Sequence, residues 1–155
     1  MKPYKHAITY GTFDMFHVGH LELIKRVSAY ADKTTVAVSS DDFNEVKGKK
    51  TIIPFDQRAE IVQAIRYVDH VIPEHDWAQK PRDIAEHGID VFIMGDDWRG
   101  KFDDLKSQCD VIYLPRTEGI SSTKLKSALN TFSSINLEEL NLAFEVLKRI
   151  KENME

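Results

Sequence analysis

The sequence predicts an α/β protein, a doubly wound five-stranded parallel sheet with helices on both faces and an added amphipathic helix at the C-terminus. Three observations carry this. Short apolar or β-branched runs alternate with helix-period segments along the 155 residues. Thr34-Thr35-Val36-Ala37-Val38 is continuous rather than alternating in polarity, as a strand buried on both faces requires. Parallel strands need long crossovers, and the intervening helices supply them. The length suits one domain and is too short for two ordinary ones.

The elements follow in order. Residues 7–10 form a short strand candidate, and Leu21, Leu23, Ile24 and Val27 recur at helical spacing over 19–31. Residues 34–38 are the second strand. Residues 56–67 read as a helix, with Asp56 as N-cap and Ile61, Val62 and Ile65 on its apolar side. Residues 70–73 are a third strand, stopped by Pro73. Pro81 opens a helix over 81–87, and Gly88 suits its C-cap. Residues 90–94 and 110–114 are the fourth and fifth strands, with a weakly helical stretch at 102–108 between them. A helix over 121–129 begins in hydroxyl residues. Residues 130–135 are a polar connector. Asn136 then caps a helix that carries Leu137, Leu140, Ala143, Phe144, Leu147, Ile150 and Met154 at helical spacing. The expected organisation is one catalytic domain over 1–130 and a helical extension over 131–155 that is not a separate domain.

Composition excludes several classes. The net charge is −4, from 21 Lys+Arg and 25 Asp+Glu, a poor match to a non-specific nucleic-acid coat. No apolar run approaches the roughly 20 residues that cross a bilayer, and residues 1–6 lack an apolar signal-peptide core. The polar side of the last helix carries Glu138, Glu139, Glu145, Glu152 and Glu155, which speaks against a membrane surface. The single cysteine, Cys109, cannot form an internal disulfide and favours a reducing compartment.

In a doubly wound sheet, ligands bind at the carboxyl ends of the strands. Two constellations fall there. The first is Gly11-Thr12-Phe13-Asp14-Met15-Phe16-His17-Val18-Gly19-His20, running from a strand through a turn into a helix. The helix start is an anion site by its N–H groups and partial positive charge. His17 and His20, three apart, share one side of that turn and offer donors to phosphate oxygens. The same pair with Asp14 is also a partial metal-ligand set, although zinc needs a third or fourth ligand. The second constellation is Arg116-Thr117-Glu118-Gly119-Ile120-Ser121-Ser122-Thr123-Lys124. A guanidinium, a glycine and three hydroxyl residues lead into a helix, forming an anion site or a plain helix cap.

The string Gly11-Thr12-Phe13-Asp14-x-x-His17-x-Gly19-His20 resembles the signature of the HxGH nucleotidyltransferase superfamily, and of its cytidylyltransferases in particular. The run from Arg116 to Thr123 closely resembles the RTEGISTT signature of the glycerol-3-phosphate cytidylyltransferases. The similarity spans residues 6 to 129. It includes Lys47-x-Lys49-Lys50, Arg58, Arg66-Tyr67-Val68-Asp69, Trp77-x-x-Lys80 and Met94-Gly95-Asp96-Asp97-Trp98. The tail from 130 lies outside it.

The resemblance implies a Rossmann-like fold and condensation of CTP with sn-glycerol 3-phosphate to give CDP-glycerol and pyrophosphate. It implies that Thr12, Phe13, His17, Val18, Gly19, His20, Lys49, Arg116, Thr117, Glu118, Gly119, Ile120, Ser121, Ser122 and Thr123 bind the nucleotide. His17, His20, Lys49 and Arg116 would be catalytic, the histidines stabilising the pentavalent α-phosphorus. Lys47 and Lys80 would contact the phosphorylated alcohol. Asp14, Arg58, Arg66 and Asp97 are candidate supports. Arg58 and Arg66 fall on one expected helix, eight residues apart, where they bind phosphate or, through Arg66 and Asp69, support an interface. Mg²⁺ or another divalent cation is expected on the nucleotide phosphates, with no metal site in the protein. A homodimer and a place in teichoic-acid or related surface-polymer supply are also implied, and composition adds the expectations of a cytoplasmic location, no nucleic-acid partner and no membrane. A different alcohol or amino-alcohol phosphate, ATP in place of CTP, and a non-catalytic nucleotide-binding module are the alternatives.

Overall fold

In the computed structural model, residues 1–119 and 121–154 are described, apart from the Phe132 side chain. The strands are β1 (Tyr4–Gly11), β2 (Ala31–Ser39), β3 (His70–Glu74), β4 (Val91–Gly95) and β5 (Asp110–Leu114). All pair in parallel, in the order β3-β2-β1-β4-β5. The helices are α1 (Val18–Ser28), α2 (Asp41–Val46), α3 (Phe55–Gln63), α4 (Lys80–His87), α5 (Ser122–Ser133) and α6 (Leu137–Glu152). The chain winds outward from β1 to β3, then returns to β4 on the other side of β1. The winding therefore reverses between β1 and β4, the position where such sheets bind ligands.

The pleat of β1 divides the core. Ile8 and Tyr10 pack with Phe92, Met94, Phe102, Leu105 and the α4 residue Ile84. Ala7 faces the other way, with Val91, Ile93 and the α1 residue Val27. On β2, Val36 and Val38 meet Ile24 of α1 and Val62 of α3. Helices thus cover both faces, as expected from the alternation. Each fully buried aliphatic side chain contributes roughly 1.5–3 kcal/mol relative to exposure.

Several boundaries differ from those read in the sequence, each for a tertiary reason. Strand β1 begins at Tyr4, whose hydroxyl donates to Asp110 at 2.7 Å. Helix α1 stops at Ser28, because Ala31 already pairs with Tyr4 in the sheet. Helix α2 is absent from the sequence reading. It has six residues and two buried side chains, too few to show a period, and Ser40 caps it by accepting from Phe43 N–H.

Helix α3 is capped at Pro54 rather than Asp56 and ends at Gln63. Arg66 lies beyond it, so Arg58 and Arg66 do not share a helix. The early stop lets Asp69 accept from the Thr34 N–H at 2.7 Å and dock the chain onto β2. That carboxylate faces β2, and Arg66 donates instead to the Tyr67 hydroxyl.

Pro73 does not stop β3. The Glu74 carbonyl accepts from Ser40 N–H, so the ladder groups of Glu74 face β2 and those of Pro73 face the outer edge. A missing N–H costs nothing there, and the Pro73 carbonyl is taken by Gln79 Nε2 at 2.9 Å. Gly88 adopts φ 60 and closes α4 as expected.

Chain contacts divide the protein into two compact units, Met1–Ile120 and Ser121–Glu155. The second begins ten residues before the boundary drawn at 130/131 and contains both α5 and α6. Among the described residues, no helix is long and apolar enough to cross a membrane.

Candidate active site

The carboxyl ends of the strands bring most of the sequence-predicted segments to one sheet edge. Gly11 closes β1 there, Ser39 closes β2, Gly95 closes β4 and Leu114 closes β5. Gly11 has a steric reason: a Cβ would sit 2.8 Å from the Phe13 ring. That ring is buried and edge-on to His20 at 5.4 Å. Phe13 and Met15 both hold positive φ, at 53 and 47, so the turn stores backbone strain.

His17 is the N-cap of α1. Its Nδ1 accepts from Gly19 N–H at 3.0 Å, and its own N–H donates to His20 Nδ1 at 3.3 Å. A ring nitrogen that accepts an N–H carries no proton, so in each neutral ring the proton sits on Nε2. The rings stack at 3.9 Å and 22°. Burial lowers the His17 pKa. His20 falls to about 4, mainly through burial and then through the neighbouring His17. Both are therefore neutral Nε2–H donors at neutral pH. This refines the expected anion site. The Gly19 N–H is engaged by the cap.

Two of the candidate supports hold the loop that carries the lysines. Asp14 is buried and accepts from Ile52 N–H at 2.8 Å and Ile53 N–H at 2.9 Å. Both carboxylate oxygens thus hold the loop at residues 52–53. Arg58 is 1% exposed. Its Nε donates to the Ile53 carbonyl, Nη1 to the Thr12 and Ser39 carbonyls, and Nη2 to Asp41. It is a backbone pin, not a phosphate ligand. Thr12 is tied on its other side too, its hydroxyl donating to Asn44 at 2.9 Å.

The side chains of Lys47 and Lys80, 8% and 3% exposed, meet at Glu74. Lys47 donates to the Ser39 hydroxyl at 2.9 Å, and Lys80 to Glu74 at 2.6 Å. Burial lowers Lys47 to about 8, although Glu74 pulls it upward. Phe43, Trp77, Trp98 and Phe102 form a wall of linked rings beside them. Lys49, beyond Gly48 at φ 71, is exposed.

Arg116, Thr117 and Glu118 are exposed after β5, whose end is held by Arg26 donating to the Pro115 carbonyl at 2.6 Å. Gly119 has φ 122. Ser121 accepts from Lys124 N–H at 3.2 Å and caps α5, where Ser122 and Thr123 form the first turn. Ile120 lies outside the described residues. Asp97 is exposed in the 3₁₀ turn Asp96–Trp98.

A family profile described as Cytidylyltransferase-like matches residues 8–128. The chain belongs to that family. Among its relatives, the glycerol-3-phosphate cytidylyltransferase of Bacillus subtilis is 56% identical over 125 residues, covering 81% of this chain and 97% of the relative. The enzyme of the same name from Staphylococcus aureus is 52% identical over 125 residues, covering 81% and 95%. The fold is shared with the lipopolysaccharide core biosynthesis protein of Thermoplasma volcanium. That crystal structure aligns with a TM-score of 0.64 at 20% identity, over 74% of this chain and 98% of its own.

In this cytidylyltransferase-like chain, sequence reasoning misses Glu74, Ser39, Tyr10 and Asp83. Tyr10 donates to Asp83 at 2.7 Å, and Ser39 to Glu74 at 2.6 Å. A usable signal exists for two of them, because Ser39 and Glu74 are the polar last residues of neighbouring parallel strands.

Proposed function

We propose that the chain condenses CTP with sn-glycerol 3-phosphate, releasing pyrophosphate and CDP-glycerol. The observation that carries this reading is the stacked Nε2–H pair at the sheet's switch point, in a chain 52–56% identical to enzymes of that name. The buried Lys47–Lys80 pair supplies a second anion site, for the acceptor.

A phosphate oxygen of the acceptor attacks the α-phosphorus in line. One P–O bond forms, the bond to the β-phosphate oxygen breaks, and pyrophosphate carries away the electron pair. A phosphate monoester has its second pKa near 6, so the attacking oxygen needs no protein base. His17 and His20 donate from Nε2 to oxygens on the α-phosphorus, where charge accumulates. Lys47 and Lys80 hold the acceptor phosphate against the repulsion of the triphosphate. Lys49 and Arg116, on exposed loops, add positive charge to the bound anions. Thr12, Phe13 and residues 116–119 are read as further parts of the nucleotide site.

Asp83, Glu86 and His87 are the one metal-capable cluster among the described residues, and Asp83 already accepts from Tyr10 and Gln79. We read Mg²⁺ as a companion of CTP, held by phosphate oxygens and water, where it would supply charge neutralisation to the triphosphate.

The test is pyrophosphate release with magnesium, CTP and a panel of phosphorylated alcohols. Turnover with glycerol 3-phosphate is expected. Turnover only with another acceptor would replace the substrate, and CTP binding without product would leave a binding module.

We further infer a homodimer, to which α6 contributes. Leu137, Phe144, Leu147 and Ile150 are exposed along α6. Its first turn carries Glu138 and Glu139 and its last turn Arg149 and Lys151, so antiparallel pairing with a second copy sets opposite charges together. Light scattering of the full chain should give two copies. Phe144→Glu with Leu147→Glu should reduce that mass, and an unchanged dimer would remove α6 from the interface. The reading also places the protein in the cytoplasm, where CTP is made, supplying teichoic-acid or related surface-polymer synthesis.

A further inference from the structure

Glu74 ends β3 between two lysines and is 3% exposed. Lys80 Nζ donates to Oε2 at 2.6 Å, and Lys47 Nζ lies 3.8 Å from Oε1. Ser39 bridges the second pair, accepting from Lys47 and donating to Oε1. One carboxylate thus serves two ammonium groups from different elements, and the cluster keeps one net positive charge.

The surroundings are aromatic. Lys80 Nζ lies 4.6 Å from the Tyr10 ring centroid, 4.9 Å from Trp77 and 5.4 Å from Phe102. Lys47 Nζ lies 4.4 Å over Phe43. Ring faces attract a cation but accept no ordinary hydrogen bond. Two buried ammonium groups without a counter-charge would repel each other and shed protons. Among the described residues, Glu74 is the only carboxylate that either lysine touches. Asp83, the nearby acid, is engaged by Tyr10 and Gln79.

We propose that Glu74 is a positioning residue for the acceptor: its carboxylate presets Lys47 and Lys80 as a charged pair that a phosphate monoester dianion completes. This rests on the reading of the two lysines as the acceptor site. Each ammonium has three donors, so Glu74 orients both and leaves donors for phosphate oxygens. The doubly charged acceptor then meets cations already desolvated and aimed, rather than lysines gathered from solvent.

The pH behaviour follows with its sign. Lys47 is cationic below a pKa of about 8, and it faces Glu74, which raises that value, and Lys49, Lys80 and Arg58, which lower it. Removing the Glu74 charge lowers it further, so the cation is lost at a lower pH.

The experiment compares Glu74→Gln, Glu74→Asp and Ser39→Ala with the parent enzyme, using the phosphorylated alcohol that the parent turns over. In Glu74→Gln the KM for that acceptor should rise about tenfold or more, the scale of a lost charge-assisted hydrogen bond. The KM for CTP should stay within about twofold, because no chemistry of the nucleotide site has changed. The alkaline limb of kcat/KM for the acceptor should move to lower pH. Glu74→Asp should recover part of both effects, and Ser39→Ala should shift the limb in the same direction. Equal rises in both KM values with an unmoved limb would reduce Glu74 to a structural role and overturn the proposal. Should Glu74→Gln fail to fold, an unmoved limb in Ser39→Ala overturns it. A parent that uses another phosphorylated alcohol overturns only the glycerol assignment, whereas a parent inert toward all of them overturns both.

Discussion

His17→Ala should lower kcat by about 10²-fold or more, the scale of loss when one oxyanion-type donor is removed from an enzyme. The structure makes that experiment ambiguous alone, because His17 is also the N-cap of α1. Alanine at an N-cap costs about 1 kcal/mol of stability, and a rate loss could be ascribed to a displaced helix. His17→Asn separates the two roles. Asparagine caps well, so the thermal midpoint should return toward the parent value. Its amide does not reach where the imidazole Nε2–H points, so kcat should stay low. The KM for CTP should change less than kcat, since the histidine is assigned to charge that develops during transfer. Near-parent turnover in the asparagine variant would remove His17 from the reaction.

Arg58→Met should be the most damaging single change to stability. The guanidinium is buried and donates to the Thr12, Ser39 and Ile53 carbonyls and to Asp41. Methionine fills part of the volume but leaves those acceptors without a donor. Removing one partner from a buried charged network costs about 3–5 kcal/mol, a large share of the 5–15 kcal/mol that holds a typical domain together. Urea unfolding should show the midpoint falling accordingly. Arg58→Lys should recover little, because an ammonium is a point donor and cannot span four acceptors as the planar fork does. A midpoint within experimental error of the parent for Arg58→Met would refute the pinning role.

The strands, their succession and the helix that follows His17 are legible in the sequence because each rests on a local signal. The continuous run at 34–38 reports a two-sided strand, and Gly88 reports a helix end. What is not legible depends on contacts between distant segments. Nothing near Arg58 announces that its partners lie at positions 12, 39, 41 and 53. An arginine on a helix looks the same whether it meets phosphate or carbonyls. Glu74 escapes for the same reason, since its lysines come from α4 and from the residue just past α2. Helix α3 ends early because Asp69 docks on Thr34, while its apolar period continues past the break at Ile65. The histidine motif is read correctly as a strand–turn–helix feature. Its internal cap is hidden, because spacing alone does not say that one imidazole bonds the amide two residues on.

Pro73 bears on how this protein behaves when crowded. The rim of an open sheet is a template on which a foreign strand can crystallise, one amide at a time. At position 73 that template is blank: the ring nitrogen has no hydrogen, and Gln79 has claimed the oxygen. An invading strand therefore meets a gap at the fourth position of a five-residue rim. The β3 edge is thereby a poorer template for growth of the sheet.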